Sequence, residues 1–242
     1  MRYFVSFSYD GSCFSGFQRQ KNLKTVQGVF EKVLSSLEGK HVDIVASGRT
    51  DKGTHATGQC AHFDIDTLVK EYNLKKYLNN SFDGEIYVSS VKKVSDDFHA
   101  RYDVKSKVYS YYINMGEYNP IMRNYVYQYC NKLDVSLMKK AAMCLLGEHD
   151  FRSFCTDSKN KENCVRNIYS IDFEENDNIL KITFAGNGFL RKMIRNIVII
   201  LIAIGSGEKD VSYMKTVLDK HKRDGNLKCA FAGGLYLEKV NY

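Results

Sequence analysis

The 242-residue chain has no tryptophan and one proline, Pro120. A single proline excludes a proline-rich linker or a polyproline recognition segment. Low-complexity tracts and charged tails are missing as well, so no connector divides the chain by composition. No C-x-x-C pair occurs among the seven cysteines, at 13, 60, 130, 144, 155, 164 and 229. Their odd number and wide spacing argue against a disulfide framework and against a zinc site. Reduced thiols in a cytoplasm are the simpler expectation. The longest apolar run, Ile197 to Ile204, falls short of the roughly 20 residues a membrane helix needs, and reads as a buried helix. Met1-Arg2-Tyr3-Phe4 is already strand-like, which predicts no signal peptide. Neither a nucleotide fingerprint nor a metal-ligand cluster stands out, so no cofactor and no metal are expected.

What is present is ordinary for a globular protein: 44% hydrophobic and 26% charged residues. The length fits one large domain or two small ones and suffices to bury a sizeable core. Net charge is +7, from 35 Lys+Arg against 28 Asp+Glu. A basic surface attracts polyanions, and phosphate neutralisation supplies salt-sensitive affinity for nucleic acid. There are 17 Tyr and 14 Phe. Exposed ones can stack on bases, but most aromatics in a folded chain pack in the core.

Periodicity orders the elements. Tyr3, Val5, Phe7 and Tyr9 alternate as a strand does. Thr25 is placed to cap a helix whose apolar face is Val26, Val29, Phe30, Val33, Leu34 and Leu37, with Gly39 as its stop. Strands are predicted over 42–46 and 58–64, a helix over 67–80 and a strand over 85–94. Further on, 107–113 reads as a strand with 125–129 as its hairpin partner, and 136–146 as a helix. Residues 167–173 and 179–185 read as strands, 189–204 and 211–218 as helices, and 235–240 as a last strand. Strand–helix–strand–strand order in both halves predicts two related α+β units. Their boundary is set near 103–105, giving a first half of 1–103 and a second of 104–242.

The richest stretch is Ser47-Gly48-Arg49-Thr50-Asp51-Lys52-Gly53-Thr54-His55-Ala56. Two glycines allow a sharp turn that exposes the side chains between them. Cations on both sides of Asp51 favour its carboxylate form, which suits a nucleophile or general base. The plainer reading is a polar turn whose acid caps a helix or pairs with a lysine. The ten residues resemble the catalytic loop of the TruA family of RNA pseudouridine synthases, roughly (A/S)-G-R-T-D-x-G-V-H-A, with Ser47 and Thr54 as mild departures.

Other segments resemble the same family in the same order along almost the whole chain. Residues 9–20, with Tyr9, Asp10, Gln18 and Arg19, match the first motif, though Ser12 and Phe17 replace the usual Thr and Trp. This glycine-bent loop suits ribose or phosphate contacts rather than chemistry. The blocks Phe98 to Tyr102, with Arg101, and Lys107 to Ile113 match the next motif. By that match Tyr109 is the active-site tyrosine, which would stack on the target uracil and relay a proton. Phe184 to Asn196 matches a block whose arginine, here Arg195, pairs with the catalytic aspartate. An almost unbroken apolar helix follows Arg195, so its charge needs a partner. Arg191 and Lys192 read as solvated helix-end charges. Gly147 to Phe154, with His149 and Asp150, reads as a structural turn. Ala230 to Leu237 matches A-P-A-x-G-L-x-L with Phe231 in place of the proline; Leu235 would wall the uracil pocket. Ile199 stands where a glycine is usual.

The resemblance implies two ferredoxin-like halves forming one extended, mainly antiparallel sheet, with helices on one side and a central cleft. It implies conversion of uridine to pseudouridine in the tRNA anticodon stem-loop by a cytoplasmic homodimer. Asp51, Tyr109 and Arg195 would be catalytic. Arg49, which would help displace the target nucleotide, and Lys52, His55 and Arg101 join Tyr9, Asp10, Gln18, Arg19 and Leu235 as RNA contacts. Two other readings stand beside this one: a basic RNA-binding protein that modifies nothing, and the same chemistry on ribosomal RNA. Retention of Asp51, Tyr109 and Arg195 together disfavours the first, since binding needs none of that set.

Overall fold

The computed structural model describes residues 1–156, 163–222 and 228–242. The chain forms two compact units, Met1–Lys105 with Tyr236–Tyr242, and Ser106–Leu235. It therefore leaves the first unit once and re-enters it with its last strand.

The first unit is an α+β fold. Its elements are β1 (Arg2–Tyr9), α1 (Val26–Glu38), β2 (Ile44–Ala46), β3 (His55–Asp64), α2 (Glu71–Ser81) and β4 (Ile86–Lys93). β1 lies between β4 and β3, antiparallel to both. The far edge of β3 is shared. β2 pairs antiparallel with its second half, Ile44 opposite Phe63. The returning strand, β10 (Leu235–Asn241), pairs parallel with its start, Tyr236 opposite His55. The alternation foreseen in β1 holds: Tyr3, Val5, Phe7 and Tyr9 are buried and the residues between them are less so. In α1 the Thr25 hydroxyl accepts from the Gly28 amide at 3.2 Å, and Gly39 ends the helix. Phe30 and Leu34 are fully buried, Phe30 lying against Phe7 at 5.0 Å and Phe82 at 5.0 Å between ring centroids. Helix α2 starts four residues later than its periodicity predicts. The Glu38 carboxylate accepts the amides of Asp66 and Thr67, which holds that stretch at the end of α1.

The second unit is also α+β: β5 (Ser106–Asn114), β6 (Tyr127–Gln128), α3 (Val135–Ala142), β7 (Gly147–Asp150), β8 (Val165–Asn176), β9 (Ile179–Gly186), α4 (Met193–Gly205) and α5 (Ser212–Asp219). Strands run in the order β5-β9-β8-β7, each antiparallel to the next. Two expectations change here. Residues 125–129 are not an antiparallel hairpin partner; β6 is two residues long and runs parallel to β5, Tyr127 opposite Ile113. The chain turns back beforehand, with Tyr125 and Val126 donating to the Met122 carbonyl. Gln128 then closes the loop by accepting from Asn114 Nδ2 and the Asn119 amide. The stretch around His149 is a strand rather than a turn, because Gly147–Asp150 pair with β8; only Arg152–Phe154 form a 3-10 turn. Helix α4 begins at Met193 rather than 189, since Lys192 adopts a left-handed φ of 62°. From there it is apolar on nearly every side and packs beside α3 and α5. No described helix is long and apolar enough to cross a membrane.

Candidate active site

In the first unit, the segment from Ser47 to Thr54 joins β2 to β3 and carries the candidate acid. Its C-terminal part is a tight turn in which the Thr54 amide donates to the Asp51 carbonyl at 3.1 Å. Gly53 sits at φ +81°, a conformation glycine adopts without cost. Arg49 and Lys52 are exposed, Asp51 is half-buried and Thr50 is buried. Thr50 is thus turned inward, between exposed Arg49 and half-buried Asp51.

A buried polar network anchors the loop. The Thr50 hydroxyl bonds the Tyr9 phenol at 2.8 Å. Gln59 on β3, fully buried, reaches Ser47, Gly48 and Tyr9 at once. Burial pushes the Tyr9 phenol up to about 12, so it stays protonated. Tyr9 was expected to touch RNA; it is 5% exposed and its hydroxyl is spent inside the network. Gln59 was not picked out by any motif, and its only sequence signal is a polar residue in a strand.

The loop that follows β1 braces the same turn. Gly11 approaches so closely that a Cβ there would lie 2.1 Å from the Thr54 carbonyl oxygen. Its amide donates to His55 Nδ1 at 3.0 Å. The His55 ring, 3% exposed, stacks on Tyr236 at 4.6 Å. His55 therefore ties loops together from within, where the sequence placed an RNA contact. Asp10 is half-buried; its carboxylate accepts from the Ser12 amide and hydroxyl and lies 3.3 Å from His55 Nδ1. Phe17 is 3% exposed, with its amide donating to the Thr50 carbonyl, so the Trp-to-Phe departure is a matter of core packing. Gln18 is exposed. Arg19 is drawn to the buried carboxylate of Glu31 at 2.8 Å. That carboxylate also accepts from Gln27 and the Ile44 amide, so Arg19 helps join the loop, α1 and β2.

Thr54 shows what the departure from valine costs. Its hydroxyl oxygen is buried without a hydrogen-bond partner. An unpaired buried hydroxyl costs about 1–3 kcal/mol. Thr54→Val is expected to raise the melting temperature by about 2–12 °C. Calorimetry showing a lower melting temperature would mean that the hydroxyl is satisfied.

Arg101 lies apart from this loop, in the segment after β4. It is exposed, and its amide donates to His99 Nδ1 at 3.2 Å. The segment is pinned by His62, whose Nδ1 accepts from the Ala100 amide at 3.1 Å. Burial, helped by the charge of Arg2, lowers His62 to about 4, so its ring is a neutral acceptor at pH 7.

In the second unit, Tyr109 lies on β5 opposite Phe184 of β9. It is 8% exposed, and its ring meets the edge of Phe189 at 5.4 Å. Next but one along the strand, Tyr111 is fully buried and donates to the Phe231 carbonyl at 2.7 Å. Burial raises that phenol too. Arg195 is half-buried in the first turn of α4. Its Nε donates to the Ala230 carbonyl at 2.7 Å, and the Ala230 amide donates to the Arg195 carbonyl. The arginine thereby holds the segment that leads into Leu235, itself 8% exposed. Arg191 is exposed and Lys192 half-buried. The His149 Nε2 meets the Leu146 carbonyl at 2.8 Å. Among the described residues no group of His, Cys, Asp and Glu could hold a metal ion.

Phe231, where proline is usual, has φ −55° and ψ 137°, and its ring is 43% exposed. Proline favours that φ without strain. Phe231→Pro is expected to stabilise by about 0.4–1 kcal/mol through the unfolded chain. A loss of stability in thermal melts would show that the ring or the amide carries structure.

A family pattern described as tRNA pseudouridine synthase matches residues 5–103 and 141–242. The chain is 43% identical over 245 aligned residues to a tRNA pseudouridine synthase A of Streptococcus agalactiae serotype Ia, covering 100% of this chain and 95% of that protein. It is 40% identical over 242 residues to a tRNA pseudouridine synthase A 2 of Bacillus cereus, covering 99% of each. A protein of the same name from Bacillus anthracis is also 40% identical. Both units carry matched sequence, and the chain belongs to the tRNA pseudouridine synthase family.

Proposed function

We propose that this protein isomerises uridine to pseudouridine in the anticodon stem-loop of tRNA, with Asp51 as the nucleophile or base. The observation that carries the reading is the Asp51 loop itself. A buried network fixes its backbone, with Arg49 and Lys52 exposed and Asp51 half-buried. Preorganisation of that kind places a reacting group without reorganisation during the reaction.

The chemistry is redox-neutral. The bond from N1 to C1′ breaks, the uracil turns, and C5 bonds to C1′. The C5 proton then leaves to a base, and N1 ends protonated, so the product is an isomer of the substrate. Asp51 supplies the carboxylate, Tyr109 a ring face and a hydroxyl at the base, and Arg195 a guanidinium that orients the acid. Arg49 helps displace the target nucleotide, since a stacked base must leave its helix to react. Lys52, Gln18 and Arg101, all exposed, contact the RNA backbone, and Leu235 walls the uracil. The net charge of +7 supports a polyanionic substrate. We further propose that the protein works as a homodimer in the cytoplasm, where cysteines outside any disulfide fit a reducing compartment.

Release of the C5 proton gives the test. Purified protein incubated with tRNA tritiated at uracil C5 is expected to release tritium to water. Bound tRNA with no released tritium would overturn the reading.

A further inference from the structure

We infer that Gln59 is a positioning residue for the isomerisation, acting through the loop that carries Asp51; this rests on the proposed activity. The carboxamide of Gln59 has four hydrogen-bonding sites, and all four are used. Its Oε1 accepts from the Ser47 hydroxyl at 2.9 Å and from the Cys60 amide at 3.1 Å. Its Nε2 donates to the Gly48 carbonyl at 3.1 Å and to the Tyr9 phenol at 3.4 Å. The side chain is fully buried. Tyr9 passes the restraint on to Thr50, the residue before Asp51.

One side chain on β3 thus fixes the backbone at the start of the loop through Ser47 and Gly48, and its middle through Tyr9 and Thr50. The turn from Asp51 to Thr54 closes the other end. Gln59 lies eight positions beyond Asp51 and points into the core, so its effect on chemistry passes through the loop. A buried polar network of this kind specifies one arrangement only when every member is satisfied. Removing the carboxamide takes away its bonds to the Gly48 carbonyl and the Ser47 hydroxyl and lets the loop shift. A displacement near 1 Å costs about 100-fold in rate.

The test compares single-turnover pseudouridine formation and tRNA affinity in Gln59→Leu and Gln59→Glu. The second keeps the shape and removes both N–H donors. Each is expected to lower the rate at saturating tRNA by about 100-fold, with tRNA affinity within about threefold. Hydrogen exchange of the Thr54 amide is expected to quicken in both. A rate within twofold of wild type overturns the inference. So does a parallel loss of rate and tRNA affinity, which marks a merely structural role. If both variants fail to fold, Ser47→Ala removes one bond to Gln59 and is read by the same split between rate and affinity. If the wild-type protein itself makes no pseudouridine, the isomerase reading fails. Thr54 exchange still reports whether Gln59 holds the loop.

Discussion

Asp51→Ala and Asp51→Asn are each expected to lower pseudouridine formation by a thousandfold or more, while tRNA affinity stays within about threefold. A residue that forms a covalent bond or removes a proton in the reaction has no substitute in the site, and losses of this order follow its removal. Both substitutions leave the turn's backbone bond in place, since it is the Asp51 main-chain carbonyl that accepts from the Thr54 amide. The network beneath runs through Thr50, Tyr9 and Gln59. Asparagine matters most here, because it keeps size and polarity and removes only the charge and the basic oxygen. A variant within about tenfold of wild-type rate would deny Asp51 the central role.

Arg195→Lys and Arg195→Met are expected to lower the rate by about 100-fold, with lysine failing to rescue. Lysine keeps the charge but not the planar fork that orients a carboxylate. It also lacks the Nε–H that donates to Ala230, so both variants should lose about 1 kcal/mol of stability. The combination with Asp51→Ala separates the two roles. If Arg195 acts through Asp51, the double variant is no slower than Asp51→Ala alone, because residues acting as a unit are not additive. Losses that multiply would assign Arg195 to the substrate or to the Ala230 segment instead.

What could be read from the sequence was local. Thr25 and Gly39 bracket α1 because cap chemistry is settled within a few residues. The inward face of β1 follows from a period of two. Long-range effects were hidden. Glu38 delays α2 by holding amides 28 and 29 positions ahead of it. The last strand returns to the first unit because its partner β3 ends far back in the chain. The Asp51 loop was legible because its glycines and charges fall in ten consecutive residues. Its supports were not. Tyr9, His55 and Phe17 lie in matched motifs and are of types that touch RNA, yet all three are buried. For Tyr9 the period of two had already marked the buried face of β1, and the motif reading overrode it. Gln59 passed unnoticed for the complementary reason: its role exists only once β1, β2 and β3 are assembled.

The most direct test is position-resolved pseudouridine mapping after incubation of the purified protein with unmodified tRNA and, separately, with ribosomal RNA, beside the Asp51→Ala variant. New pseudouridine in the tRNA anticodon stem-loop, absent with the variant, is the predicted result. Modification of ribosomal RNA alone would contradict the substrate assignment, and tRNA bound but left unmodified would contradict catalysis itself.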